Sequence, residues 1–128
     1  MPSSFEYFPL EQETEIIIGL GIEIHKELGY GFLEVVYKDA LFHEFTDNDI
    51  MFEREKPYPV YYKQNLLQHK FHADFVVFDQ IILEVKSKEG ISDSDMAQTI
   101  NYLKCSGCKV GLILNFGKMK LGIKRVVL

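Results

Sequence analysis

The sequence predicts an α/β (α+β) domain built on a mixed central β-sheet flanked by helices, with element order ααβββαββ. Three observations predict it. Apolar residues recur at helical spacing up to Thr46, the period changes to two from Met51, and one helical stretch separates the central strands from the last two. A three-strand meander, then a helix leading to a further strand, is the pattern of a mixed sheet covered by helices.

Glu11 to Leu28 reads as the first helix, with Ile16, Ile17, Leu20, Ile24 and Leu28 as its apolar stripe. Gly29-Tyr30-Gly31 ends it, because glycine accepts the left-handed geometry of a helix C-terminus. The second helix runs from Phe32 to Thr46, and its stripe is Leu33, Val36, Tyr37, Ala40, Leu41 and Phe45. Asp47-Asn48-Asp49 is a turn. Met51–Lys56 and Tyr58–Tyr62 are strand-like, interrupted by Pro57 and Pro59, which suit an edge or a bulge. Lys63-Gln64-Asn65 turns the chain into a strand from Leu66 to Phe78, and Asp79-Gln80 turns it into Ile81–Ser87. A helix over Ser92–Cys105 has Ser92 as its N-cap and an acidic first turn, Asp93-Ser94-Asp95. Strands Lys109–Phe116 and Lys120–Val127 flank Gly117. The expected organisation is an N-terminal tail, 1–10, and one domain, 11–128.

At 128 residues, 47% hydrophobic and 26% charged, the chain has the balance of one globular domain. Ten Phe and seven Tyr supply the bulk for a real core. No apolar run approaches the roughly 20 residues of a membrane helix. The first residues show no basic and apolar leader, so the chain is expected to be cytoplasmic. Cys105 and Cys108 form a lone C-x-x-C after a helix and before a strand; with no second ligand pair they read as reduced thiols. His25, His43, His69 and His72 have no zinc spacing. The net charge of −5 divides into −8 over residues 1–64 and +3 over 65–128. A phosphate backbone is expected at the positive end, Lys118, Lys120, Lys124 and Arg125. The acidic half points to weak binding alone, or to help from an accessory protein or a second copy as a homodimer.

The chemistry is concentrated in two strands. Glu84 and Lys86 are two apart, so they leave the same face of an otherwise apolar strand. Such groups are costly to bury unless paired. The plain reading is an ion pair at a strand end. The functional one is that Glu84 holds a divalent cation, while Lys86 orients water or neutralises phosphoryl charge. Asp74 breaks the neighbouring apolar strand, and two carboxylates sharing a site repel each other unless a cation lies between them. Mg²⁺ is commonly held by one or two carboxylates, with waters and phosphate completing the shell. A two-residue turn would set Phe75 opposite Glu84 and turn Asp74 away. The two acids meet only if the loop is odd, for example Phe78-Asp79-Gln80, or if a bulge intervenes.

The spacing D-x9-E-x-K, from Asp74 through Glu84-Val85-Lys86, resembles the motif of the PD-(D/E)XK nuclease superfamily. Gly31-Phe32-Leu33-Glu34-Val35-Val36-Tyr37 is similar to the signature of the small GxxExxY proteins. The likeness continues through Val60-Tyr61-Tyr62-Lys63, Asn101-Tyr102-Leu103-Lys104 and Leu114-Asn115-Phe116-Gly117, over about residues 14 to 128. It implies a restriction-endonuclease-like core. It also implies Asp74, Glu84 and the Val85 carbonyl as ligands of Mg²⁺ or Mn²⁺, Lys86 as catalytic lysine, and Glu34 as the helical glutamate completing the shell. Gln98 and Tyr102 resemble a Q-x-x-x-Y motif of recombination exonucleases, and their spacing puts them on one helix face. Ala73 stands where the superfamily's name has proline.

Each of these residues has a plainer role. Glu34 favours the dipole of its helix and can close a capping box. Tyr37 is expected in the core or as a hydrogen-bond partner, Gln98 and Tyr102 can serve packing, and Asn115 and Gly117 shape the final turn. The leading expectation is a Mg²⁺-dependent nuclease acting on nucleic acid, DNA in the first place. The alternatives are a catalytically silent binding or assembly module of the same fold and an interaction protein that dimerises through Tyr58–Tyr62.

Overall fold

Thr14, Ile17, Gly21 and Ile24 line the buried face of helix α1 (Glu11–Leu28) in the computed structural model, which describes residues 9–128. Most of the expected tail, 1–8, lies outside the described residues. The stripe is shifted slightly from expectation, because Ile16 points outward while Gly21 lies on the sheet. Gly29 ends α1 at φ 71 and ψ −167, a backbone region reserved for glycine rather than the left-handed helical one. Helix α2 (Glu34–Asp47) buries Tyr37, Leu41 and Phe45. Leu33, expected in that stripe, is the exposed N-cap, so it adds nothing to the core.

Strand β1 (Phe52–Tyr58) runs straight through Pro57, because it is an edge strand and its free side needs no donor. The following segment forms a separate ribbon, β2 (Tyr61–Tyr62) against β3 (Asn65–Leu66). The long strand expected over Leu66–Phe78 is therefore divided, and its sheet portion is β4 (Phe71–Val77). Then come β5 (Ile81–Lys86), helix α3 (Asp93–Ser106), β6 (Val110–Asn115) and β7 (Gly122–Val127). Leaving the small ribbon aside, the order is the ααβββαββ read from the sequence. The sheet order is β1-β4-β5-β6-β7, antiparallel throughout except for the parallel pair β5–β6 that α3 connects.

Apolar side chains leave both faces of this sheet. Phe75, Val77, Leu83, Val85, Leu112 and Leu114 pack with Ile17, Tyr37, Leu41 and Phe45 of the first two helices. Val76, Ile82, Ile113 and Val126 pack with Leu103 of α3. Burial on both faces explains why β5 and β6 read as unbroken apolar runs.

One irregularity positions the site. Phe75 and Val77 face α1 and α2, yet Phe71 and Ala73, at the same parity in β4, belong to the α3 cluster. Strand β1 makes the same change, with Phe52 on the first side and Tyr58 on the second. The reversal falls at Glu55, which has φ 55, and its register neighbour Asp74; pairing is regular on either side of them. A non-glycine residue in that region costs about 1–2 kcal/mol. Helix α3 starts on a full capping box, in which Asp95 N–H donates to Ser92 Oγ and Ser92 N–H to Asp95 Oδ2. Such a cap stabilises by about 1 kcal/mol.

Candidate functional site

The β4–β5 connection is the three-residue turn Phe78-Asp79-Gln80, with Phe78 and Asp79 at φ 56 and 59 and the Gln80 N–H donating to the Val77 carbonyl at 3.2 Å. Val77 pairs with Ile81, Val76 with Ile82 and Phe75 with Leu83, so one further step sets Asp74 opposite Glu84. The odd loop and the meeting of the two acids are thus both present.

At that step the ladder gives way to the side chains themselves. Asp74 N–H donates to Glu84 Oε2 at 3.0 Å, and Val85 N–H donates to Asp74 Oδ2 at 2.8 Å. Both carboxylates are buried, Glu84 to 4% exposure. Burial, and then the neighbouring Asp74 charge, push the Glu84 carboxyl far above the usual carboxylate range, to about 8. The pair is short of positive charge.

Part of that charge comes from a residue that the sequence reading passed over. Lys38 Nζ donates to Asp74 Oδ1 at 2.9 Å and to Glu55 Oε1 at 3.1 Å. Burial lowers the Lys38 ammonium, but its bonds to Asp74 and Glu55 outweigh that and hold it above its ordinary value. The available signal was its spacing, four residues after Glu34 on α2, which puts the two on one face.

Glu34 opens α2 without acting as its cap, since Leu33 is the N-cap and no side chain caps it. Burial, then the Asp74 charge, raise the Glu34 carboxyl, while Lys86, Lys38 and Lys88 draw it down. It therefore lies within electrostatic reach of the strand acids and of Lys86. Lys86 Nζ is 4.0 Å from Asp95 Oδ1 of α3, and Lys88 Nζ donates to the same oxygen at 2.8 Å. Burial pushes the Asp95 carboxyl up, but hydrogen bonds from Lys88 and Ser92 prevail and leave it below its ordinary value. Asp95, read only as a dipole-favouring acid, also steadies both lysines.

Tyr102 approaches from α3, its ring stacked on Phe71 with centroids 4.0 Å apart and planes 3° apart. Burial raises its hydroxyl, the Glu84 and Asp74 charges raise it further, and a hydrogen bond with Gln98 lowers it. Gln98 is exposed one turn earlier. Tyr37 is in the core, as expected: its hydroxyl donates to the Gly29 carbonyl at 2.6 Å and its ring stacks on Phe116 at 4.4 Å. Asn115 Oδ1 accepts from Lys88 N–H and Gly117 N–H, and its Nδ2 donates to the Lys88 carbonyl. Gly117 has no room for a side chain, because a Cβ there would collide with the Lys88 backbone. His72 is exposed, and Cys105 and Cys108 are free thiols.

Among the described residues, no group of three or more His, Cys, Asp or Glu side chains is placed to hold a metal ion. The two buried carboxylates of Asp74 and Glu84 are nonetheless oxygen donors, the chemistry that suits a hard cation. No helix among the described residues is long and apolar enough to cross a membrane.

A family model of the PD-(D/E)XK nuclease superfamily matches residues 11–126, and the chain belongs to that superfamily. Its members generally use divalent metals, and membership makes the coarse functional reading nuclease-like. The crystal structure of SSO0001 is similar in fold, with a TM-score of 0.56 at 15% identity over 73% of this chain and 50% of that one. The chain thus spans half the length of that protein. No curated protein matches.

Proposed function

We propose that this chain is a GxxExxY-type, Mg²⁺- or Mn²⁺-dependent nuclease, folded as one domain over residues 11–128, that hydrolyses phosphodiester bonds, in DNA first. The observation that carries the reading is the crosswise pair Asp74–Glu84, two buried carboxylates with too little cation around them. Asp74, Glu84 and the Val85 carbonyl would hold the metal, and Glu34 would close the shell from α2. A bound metal supplies Lewis-acid polarisation of the phosphate.

The remaining roles belong to the chain's own groups. Lys86, kept near the acids by Asp95, orients the attacking water and offsets charge growing on the phosphate oxygens. Gln98 and Tyr102 bear on the phosphate backbone from α3. Lys38 fixes the direction of the Asp74 side chain.

The test is cleavage of single-stranded, linear and supercoiled DNA, and of RNA, with Mg²⁺ or Mn²⁺. Lys86→Ala and Asp74→Ala should each abolish cleavage. Calorimetric Mn²⁺ titration should show binding to wild type and none to Glu84→Ala. No cleavage by wild type under any condition would favour the silent nucleic-acid-binding or assembly module, and cleavage surviving in Lys86→Ala would place the activity elsewhere.

A further inference from the structure

Between Lys56 and Ala73 the chain carries three lysines, two histidines and three tyrosines, and no Asp or Glu, in a protein whose net charge is −5. This run holds the β2–β3 ribbon. Its turn, Lys63-Gln64, has both residues at positive φ, 48 and 70, the two-residue geometry that matches strand twist and places Lys63 at the tip. The turn uses neither glycine nor asparagine, so it is built at some conformational expense. Tyr61 and Tyr62 are 62% and 59% exposed, and Leu66 and Leu67 are also open. Lys63 Nζ lies 5.4 Å from the Tyr62 ring centroid.

The base of the ribbon is tied to the candidate site by rings. Tyr58 and Phe71, the register pair at its root, stack at 5.1 Å, and Phe71 stacks on Tyr102, which feels the charges of Glu84 and Asp74.

We infer that the β2–β3 ribbon is an arm that grips single-stranded nucleic acid and leads it toward the Asp74–Glu84 site. Exposed aromatic rings beside lysines are what a single strand recognises, bases stacking on the rings and phosphates meeting the ammonium groups. Residues 96–128 are also free of acids, but of the two acid-free stretches it is the ribbon that sets exposed aromatic rings beside its lysines. Adjacent strand positions put Tyr61 and Tyr62 on opposite faces of the ribbon. A ring on each face suits a flexible strand that wraps the arm, whereas the bases of a duplex are already stacked on one another. The inference rests on the nuclease reading only for what the strand is delivered to.

The test is binding, without turnover. Fluorescence anisotropy with a labelled thymidine oligomer of about 20 nucleotides, in EDTA, should show wild type binding it more tightly than a duplex of equal length. Tyr61→Ala/Tyr62→Ala should weaken binding at least about tenfold, and Tyr61→Phe/Tyr62→Phe should restore it, since stacking needs no hydroxyl. Lys63→Gln should reduce the slope of log affinity against log salt by about 0.7. All three variants change exposed side chains, and wild-type melting temperatures will show that folding is intact. Unchanged affinity in the double alanine variant overturns the arm, as does tighter duplex binding or failure of wild type to bind the oligomer. So does a sedimentation result in which the tyrosines instead hold two copies together. Metal-dependent cleavage lost in Lys86→Ala would leave the nuclease reading standing in each case.

Discussion

Lys38 Nζ lies 2.9 Å from Asp74 Oδ1, with the two side chains only 14% and 13% exposed. The same ammonium reaches Glu55, the residue whose left-handed backbone reverses the facing of β1. One lysine therefore serves both the acid at the site and the strand defect opposite it.

Removing that lysine leaves Asp74 buried without its cation. Lys38→Ala is expected to destabilise the metal-free protein by about 2 kcal/mol, since breaking a buried pair exposes the full desolvation cost of the surviving charge. Under the proposed metal binding, Mn²⁺ should recover more stability in the variant than it adds to wild type. Urea unfolding of both proteins, with and without Mn²⁺, measures this.

Glu84 gives the metal-free protein an unusual dependence on pH. Its folded carboxyl titrates near 8 against 4.5 unperturbed, so the folded state binds a proton that the unfolded chain has released. The contribution is fully present below pH 4.5 and is lost as pH rises through 8, on the order of a few kcal/mol. Glu34, raised by burial, acts with the same sign. Unfolding midpoints should fall between pH 5 and 8 in EDTA, and Glu84→Gln should flatten the fall.

Asp95 works in the opposite sense. Its carboxyl lies below the ordinary 3.8, so its stabilisation is present above that pH and is lost as pH falls through the folded value. Asp95→Asn weakens the ion pairs to Lys86 and Lys88 and one half of the capping box, at a cost of about 1 kcal/mol near neutrality. The gap between wild type and variant should close on strong acidification, as followed by urea midpoints along a pH series.

Asn115 is buried and uses both ends of its amide on the Lys88 backbone. Asn115→Asp replaces a donor with an acceptor facing the Lys88 carbonyl, and about 2–3 kcal/mol should be lost. Asn115→Ser, smaller but uncharged, should cost less. Thermal unfolding ranks the two.

Much of this was legible because it follows from local rules. Ser92 announced the start of α3 three residues before its box partner Asp95. Parity required an odd β4–β5 loop, or a bulge, if Asp74 was to meet Glu84. What escaped was tertiary. The change of face at Glu55 and Asp74 breaks the two-residue alternation, and the gap between β3 and β4, Leu67 to Lys70, holds no glycine or proline to mark it, so Leu66–Phe78 reads as one strand. Lys38 lies off the apolar stripe of α2, and only the strand beneath it shows what it pairs with. The acid-free stretch from Lys56 to Ala73 was hidden by averaging charge over halves that meet at residue 64.

The crosswise bonds at Asp74 and Glu84 also bear on amide hydrogen exchange. Two main-chain amides, those of Asp74 and Val85, are protected by carboxylates and not by carbonyls of the ladder. Their exchange rates should therefore follow the ionisation and occupancy of the acids, while amides such as Phe75 and Leu83 follow the sheet. Two backbone resonances would then report the state of the site in the absence of any substrate.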